Sequence, residues 1–213
     1  SFFSYAVDSK VIEEQANTAI KELYHTLNTM PNTSMAERIN WISHHFSGSV
    51  YELGSLGEGP GARYDQFPQY RVDAFDCDTY VNTVLSLALA DSLESFKQCQ
   101  NHNRYKDGTA TYINRNHFTS LDWNINNQKR GILKDITLDI KNEKNQPVAM
   151  YAVALIDKPN WYQHKTVSTI RLQKENITKQ QQLLNELKEE GVHLTATTAK
   201  IAYLPFTALF TKE

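Results

Sequence analysis

The chain has few cysteines, no long apolar run and no excess of positive charge. Among its 213 residues, two are cysteine, Cys77 and Cys99. A disulfide framework needs more cysteines in a short chain, and zinc sites need paired spacings such as C-x-x-C. No segment approaches the ~18 apolar residues of a membrane span. Lys and Arg total 22 against 24 Asp and Glu, with the signs interspersed, so the basic stripe that contacts nucleic-acid phosphates is missing. We therefore expect no metal, no cofactor, no membrane span and no nucleic-acid partner.

The residue patterns that are present describe an ordinary globular protein. A hydrophobic content of 40% and a charged content of 22% are typical of that class. Apolar residues at helical spacing predict helices that begin after the N-caps Asp8, Ser34 and Asp76. The predicted helices cover residues 8–29, 34–47, 76–91, 93–102 and 178–190, with a short one around 121–127. Gly191 is predicted to end the last long helix as its C′ residue. β-Branched, alternating patterns predict strands over residues 132–140, 149–156, 166–172 and 193–203.

Helices come first in this order and strands later, which indicates an α+β fold with an antiparallel sheet. We expect residues 1–48 to form a helical N-terminal elaboration and residues 49–213 to form the main domain. Between the second and third helices, Gly57, Gly59 and Gly61 lie in a glycine-rich loop. No Gly-Lys-Ser/Thr follows them, so we predict a flexible loop and not a phosphate cradle.

Cys77 is a candidate nucleophile because Asp76 places it in the first turn of the most apolar helix. A thiol reacts as the thiolate, and its ordinary pKa is about 8.5. The helix dipole favours the anion by only about 0.3–1 kcal/mol, while the negative charges of Asp73, Asp76 and Asp78 disfavour it. A histidine partner is therefore required. The alternative is that Cys77 is a core residue, since free cysteines are among the most buried residue types.

Two stretches resemble a known family of cell-wall hydrolases. Around Cys77, the Asp-Cys pair followed by Thr79, Tyr80, Val81 and a Leu/Ala-rich helix resembles the signature helix of the N-acetylmuramoyl-L-alanine amidase-like branch of the NlpC-type papain-fold hydrolases. Residues 112–127 resemble that family's R-x-H-Y-F-x-D-W-x-x-N segment, with Phe118 where the family prefers Tyr and one extra residue before Asp122. Residues 104–108 resemble R-Y-R-D-G, and Leu56-Gly57 with Tyr64 resembles a lengthened L-G-x-P-Y loop.

The resemblance implies a papain-like, NlpC-type core in which a buried helix with Cys77 at its N-terminus packs on an antiparallel sheet. It implies hydrolysis of the amide between N-acetylmuramic acid and L-alanine, with muropeptides as substrates and a periplasmic or secreted location. Tyr64 and Asp76 would lie near the substrate amine or the oxyanion, and the segment from His117 to Trp123 would form the pocket wall. The implied substrate-binding set is Tyr64, Asp76, Asp78, Arg115, Phe118, Asp122 and Trp123.

The catalytic histidine is where the sequence departs from the family. NlpC-type enzymes carry it in an H-x-G setting after a G-D-apolar strand, and this chain contains neither. Either the base lies beyond Glu213 in a longer protein, which is the reading we favour, or His117 has taken that role. Three functions remain open: an amidase, a stem-peptide endopeptidase or acyltransferase on the same scaffold, and a muropeptide-binding module without activity. The oligomeric state is not indicated.

Overall fold

The helices of the N-terminal part begin at the predicted caps. The computed structural model describes residues 8–30 and 33–209 of the chain. Asp8 accepts hydrogen bonds from the backbone of Lys10 and Val11 and starts α1 (Ser9–Thr29). Ser34 forms a capping box with Glu37 and starts α2 (Met35–His45). These side-chain acceptors satisfy N–H groups that have no partner inside the helix, which fixes where each helix begins.

The rest of the described chain alternates short strands with further helices. The strands are β1 (Val50–Tyr51), β2 (Ala74–Phe75), β3 (Met150–Ile156) and β4 (Thr197–Tyr203). The helices are α3 (Cys77–Leu89), α4 (Leu93–Arg104), α5 (Asn124–Lys129), α6 (Lys158–Gln163) and α7 (Ile177–Val192). A π-helical turn at Thr119–Trp123 leads into α5. None of the helices in the described part is long and apolar enough to cross a membrane.

Two small sheets lie within the described residues. β1 and β2 pair in parallel over two residues each, with Val50 opposite Ala74. β3 and β4 pair antiparallel over seven residues, from Met150 opposite Tyr203 to Ile156 opposite Thr197. The mixture of helices, about 51% of the chain, with a small antiparallel sheet confirms the predicted α+β class.

The contacts divide the chain into two compact units. Of the described residues, the first unit comprises those up to Arg115 together with Lys165–Glu189, and the second comprises Asn116–His164 with those from Glu190 onward. In the first unit, helices α1 to α4 share one hydrophobic core. Its fully buried members include Ile20, Ile42, Leu87 and Phe96, and full burial of such a side chain contributes roughly 1.5–3 kcal/mol.

In that core α3 packs against α2 and α4, and α1 and α2 contribute to the same core as the cysteine helix. The predicted boundary between residues 48 and 49 stays a prediction. So does the packing of α3 on an antiparallel sheet in a papain-like core, since β3 and β4 belong to the second unit.

Several local predictions were wrong. Residues 132–140 form a 3-10 turn at Thr137–Asp139 and no strand, and residues 166–172 form another at Val167–Thr169. Gly191 does not end α7 but lies inside it. A Cβ atom at Gly191 would lie 2.3 Å from the Cβ of Tyr162, so close packing against that ring explains the glycine.

Candidate active site

Cys77 is the first residue of α3 and its thiol is free and exposed. The predicted cap is confirmed: the Oδ1 atom of Asp76 accepts the backbone N–H of Thr79 at 2.8 Å. The first backbone hydrogen bond at this helix start runs from Tyr80 N–H to the carbonyl of Asp76, at 2.9 Å. The N–H groups of Cys77 and Asp78 precede that bond, so they lie at the positive end of the helix dipole beside the thiol.

The carboxylate of Asp76 is held on both oxygens. Oδ1 also accepts the hydroxyl of Thr79 at 2.8 Å, and Oδ2 accepts the backbone N–H of Gly54 at 2.9 Å. Thr79 in turn contacts the hydroxyl of Ser55 at 2.9 Å. Asp76 therefore fastens the start of α3 to the 54–55 segment. Its predicted contact with substrate stays a prediction.

Other groups offset the acidic charges near Cys77. Arg71 donates two hydrogen bonds to Asp73, at 2.8 and 2.6 Å, and this hydrogen bonding lowers the pKa of the Asp73 carboxyl. Asp78 keeps exposed surface, yet desolvation by surrounding protein atoms raises its pKa, with the charge of Asp76 adding to the rise and Arg104 opposing it. Because Arg71 pairs with Asp73, the acidic start of α3 repels a thiolate less than the sequence suggests.

An open cleft of about 480 Å³ lies beside Cys77. The segment from Phe46 to Tyr51 forms one wall, and Phe75, Tyr80 and Val81 form the other. Tyr51 is 69% exposed and Val81 is 49% exposed at this cleft. The sequence did not identify these rim residues, because their position depends on the turn after α2, where Gly48 takes a φ of +84°. The cleft gives a substrate access to the thiol over a partly apolar surface.

Arg115 lies in a group of charges, which we call the Asp65 cluster: the buried carboxylates Glu58 and Asp65 and the partly buried Arg115 and Arg171. Its guanidinium donates to Glu58 through Nε at 2.7 Å and to Asp65 through Nη2 at 2.9 Å. Burial raises the pKa of Glu58 against the opposing charge of Arg115, while the two carboxylates raise the pKa of Arg115 in spite of burial. The guanidinium is therefore already paired, and its predicted contact with substrate stays a prediction.

Tyr64 is buried in the same unit, 5% exposed, with its ring 6.4 Å from that of Tyr112 in an edge-on contact. Arg63 lies over the ring of Tyr64, with 5.0 Å from Cζ to the ring centroid. The aromatic ring is thus buried with at least these two neighbours. Its proposed contact with a substrate amine is not tested by this arrangement.

The remaining predicted site residues belong to the second unit. His117 lies against Trp161 with ring centroids 4.8 Å apart, and Phe118 contacts the same indole at 5.1 Å. Asp122 accepts a hydrogen bond from Lys158 at 2.6 Å. Trp123 precedes α5 in the π-helical turn. The sequence gave no indication that Trp161 contacts His117, because α6 was not predicted. Cys77 and His117 lie in different units, so their predicted pairing stays a prediction.

Within residues 8–30 and 33–209, no group of three or more His, Cys, Asp and Glu side chains is arranged to hold a metal ion. The chemistry that the described residues of the first unit offer is that of an accessible thiol at a helix N-terminus. It can attack an electrophilic carbon whose developing negative charge faces backbone N–H groups.

Comparison with known proteins places the chain among cell-wall amidase-like sequences. The model of the AmiA-like family, described as N-acetylmuramoyl-L-alanine amidase-like, matches residues 41–213. A solved protein of the DUF1460 family from Legionella pneumophila str. Philadelphia 1 is 66% identical, with a TM-score of 0.93, covering 96% of this chain and 67% of that one. An N-acetylmuramoyl-L-alanine amidase from Bacteroides uniformis is 19% identical with a TM-score of 0.51, covering 80% of this chain and 65% of that one.

The chain thus spans about two thirds of the length of these two solved proteins. At 19% identity the Bacteroides structure shows a shared fold alone. No curated protein sequence matches the chain significantly.

Proposed function

The chain belongs to the N-acetylmuramoyl-L-alanine amidase-like family, and we propose that it is a cysteine-dependent hydrolase of bacterial peptidoglycan fragments with an NlpC-type, papain-like core. The proposed scissile bond is the amide between N-acetylmuramic acid and L-alanine. The observation that carries the proposal is the exposed Cys77 thiol at the capped start of α3, beside an open cleft.

The chemistry follows from the position of the thiol. The Sγ atom of Cys77 attacks the carbonyl carbon of the lactyl amide, and the carbonyl oxygen becomes an oxyanion held by N–H groups at the helix start. The C–N bond then breaks, and the peptide leaves as an amine after receiving a proton from the base. Water hydrolyses the thioester, which releases the muramic carboxylate and restores the thiol.

A base is needed because a helix terminus favours the thiolate by only about 0.3–1 kcal/mol. Two sources are compatible with the described residues. His117 supplies it, or a histidine outside these 213 residues does so. His164 and His193 belong to the second unit with His117, but neither has a motif that supports it as the base.

Exposure and hydrogen bonding in the first unit support a choice among the proposed substrate-binding residues. Asp78 is exposed beside Cys77, whereas Tyr64 is buried and the carboxylate oxygens of Asp76 both accept hydrogen bonds within the protein. We therefore assign Asp78 and the rim residue Tyr51 to the substrate. Phe118, Asp122 and Trp123, in the second unit, stay proposed substrate-binding residues. Because peptidoglycan lies outside the cytoplasmic membrane, the protein acts in the periplasm or outside the cell.

The test is hydrolysis of a purified disaccharide-tetrapeptide muropeptide by the full-length gene product, analysed by mass spectrometry. The amidase reading predicts a free disaccharide with an intact lactyl carboxylate and an intact tetrapeptide. Cys77→Ser is expected to abolish both products, and Cys99→Ser serves as the matched control that retains them. A shortened peptide would instead identify an endopeptidase, and saturable binding without products would identify a binding module.

A second measurement locates the base. The rate of alkylation of Cys77 by iodoacetamide is followed against pH in the 213-residue chain and in His117→Ala. Fast alkylation near pH 6 that is lost in His117→Ala assigns the base to His117. Unchanged alkylation in the variant assigns it elsewhere, and the full-length protein is then measured in the same way.

A further inference from the structure

A partly buried arginine far along the chain is connected to the cap of the cysteine helix. Arg171 donates through Nη1 to the carbonyl oxygen of Gly54 and through Nη2 to the carbonyl oxygen of Leu56, the latter at 2.9 Å. The N–H of the same Gly54 donates to Asp76 Oδ2 at 2.9 Å. One peptide segment therefore joins the guanidinium of Arg171 to the carboxylate that caps α3.

We propose that Arg171 is a positioning residue for Cys77, acting through Gly54 and Asp76; this inference rests on the proposed role of Cys77 as the nucleophile. Arg171 does not touch the thiol. It fixes the carbonyl groups of Gly54 and Leu56, so that the Gly54 N–H points at Asp76. This N–H then partly offsets the negative charge of Asp76 next to Cys77.

The guanidinium is itself held rigidly. It pairs with Asp65, whose side chain is 2% exposed, and its Cζ lies 3.8 Å from the centroid of the Phe67 ring. The backbone is fixed as well, because Arg171 N–H donates to the carbonyl of Tyr64 at 3.0 Å. A planar group with several N–H donors makes these contacts together, which the single ammonium of lysine cannot do.

The geometry at Gly54 explains why this segment carries a glycine. Its φ is +68°, in the left-handed region that other residues rarely adopt, and a Cβ there would lie 3.4 Å from Arg171 Nη1. The sequence predicted a flexible loop here. The structure shows instead a segment fixed by hydrogen bonds to Arg171 on one side and to Asp76 on the other.

The consequence concerns the charge beside the thiol. An aspartate next to a cysteine disfavours the thiolate, and each N–H that Asp76 accepts reduces that effect. Without Arg171 the 54–56 segment loses two hydrogen bonds, and the Gly54 N–H no longer stays aligned with Asp76. We expect the thiolate to become less favourable, so that the alkylation of Cys77 slows at pH 7 and its midpoint moves to higher pH.

The experiment measures iodoacetamide alkylation against pH in a Cys99→Ser background, where Cys77 is the sole thiol. Arg171→Ala is expected to slow alkylation at pH 7 by about two- to tenfold, the range that corresponds to loss of one hydrogen bond. Arg171→Lys is expected to recover part of the rate. Arg63→Ala is the matched control, because Arg63 is an exposed arginine of the same unit that pairs with Glu186. Circular dichroism verifies that each variant is folded.

A double variant distinguishes an effect of Arg171 through the charge of Asp76 from a general loss of local structure around Cys77. If Arg171 acts through the charge of Asp76, Arg171→Ala has no further effect on the rate once Asp76→Asn has removed that charge. An unchanged midpoint in Arg171→Ala overturns the inference, and so does a slowing that persists in the Asp76→Asn background. Should Arg171→Ala not fold, Arg171→Lys carries the test, with a smaller slowing expected and an unchanged midpoint overturning the idea.

These outcomes are independent of those for the proposed function. The alkylation difference is measured without a substrate, and muropeptide hydrolysis is measured without Arg171 variants. A chain that shows the alkylation shift and cleaves no muropeptide supports positioning and contradicts the amidase. A chain that cleaves the muropeptide and shows no shift contradicts positioning alone.

Discussion

Replacing Asp65 by Asn removes the central charge of the Asp65 cluster while keeping the shape of the side chain. Its carboxylate is 2% exposed and accepts hydrogen bonds from Arg115 and Arg171, whose side chains are 19% and 21% exposed. At an effective dielectric constant of about 20, each pair about 4 Å apart gains roughly 4 kcal/mol of Coulomb energy, most of which desolvation offsets. Removing one partner from a buried pair leaves uncompensated charge, and typically destabilises by about 3–5 kcal/mol.

We expect the lower end of that range, because Arg115 keeps Glu58 as a partner at 2.7 Å and Arg171 alone loses its counter-charge. For a chain of this length, about 3 kcal/mol lowers the melting temperature by roughly 6–12 °C. The assay is thermal unfolding followed by circular dichroism. Asp139→Asn is the matched control, because Asp139 pairs with Lys134 at the surface, with 63% and 78% of the two side chains exposed. Equal melting temperatures for the two variants would refute the reasoning.

Two further variants test packing and titration. Gly191→Ala places a Cβ within 2.3 Å of Tyr162 and is expected to destabilise the protein by about 1–3 kcal/mol in urea unfolding. Gly61→Ala, with nothing within 4 Å of its Cβ, is expected to leave stability unchanged, and an equal loss in both would contradict the packing argument. Burial, together with the charge of Arg115, lowers the pKa of Lys165 to about 8. Limiting acetic anhydride at pH 8 should therefore acetylate Lys165 faster than the exposed Lys134. The reverse order would contradict the burial argument. Because the folded pKa lies below the unfolded one, replacing Lys165 by Gln should raise stability near pH 7, and this gain should shrink as pH rises from 8 towards 10.5.

The parts of the fold that local chemistry determines could be predicted from the sequence. Asp8, Ser34 and Asp76 each accept N–H groups two or three residues ahead, so the helix starts follow from neighbouring residues alone. The segments over 132–140 and 166–172 carry β-branched residues but form no strand, and the second contributes only an isolated parallel bridge between Arg171 and Asp65. Strand formation depends on a partner, which a single segment does not specify. This is why these two predictions were wrong.

Residues of the Asp65 cluster could not be predicted, for a different reason. Asp65 lies 50 positions from Arg115 and 106 from Arg171 along the chain. No periodicity links such distant positions, and each charge taken alone is typical of a solvated surface residue. The sequence assigned Arg115 to the substrate, which stays a prediction, and it gave no sign that the guanidinium binds two carboxylates.

The same limit affected the assessment of the thiol. From the sequence, three aspartates near Cys77 weigh against a thiolate. In the structure Arg71 pairs with Asp73, and Asp76 accepts N–H groups from Thr79 and Gly54. Thr79 lies in the helix itself, Arg71 lies two residues before Asp73, and Gly54 lies in a loop 22 positions before Asp76. An acidic helix start is thus compatible with a nucleophilic cysteine when two of its three carboxylates, those of Asp73 and Asp76, are already hydrogen-bonded. The identity of the base then decides how reactive such a cysteine becomes.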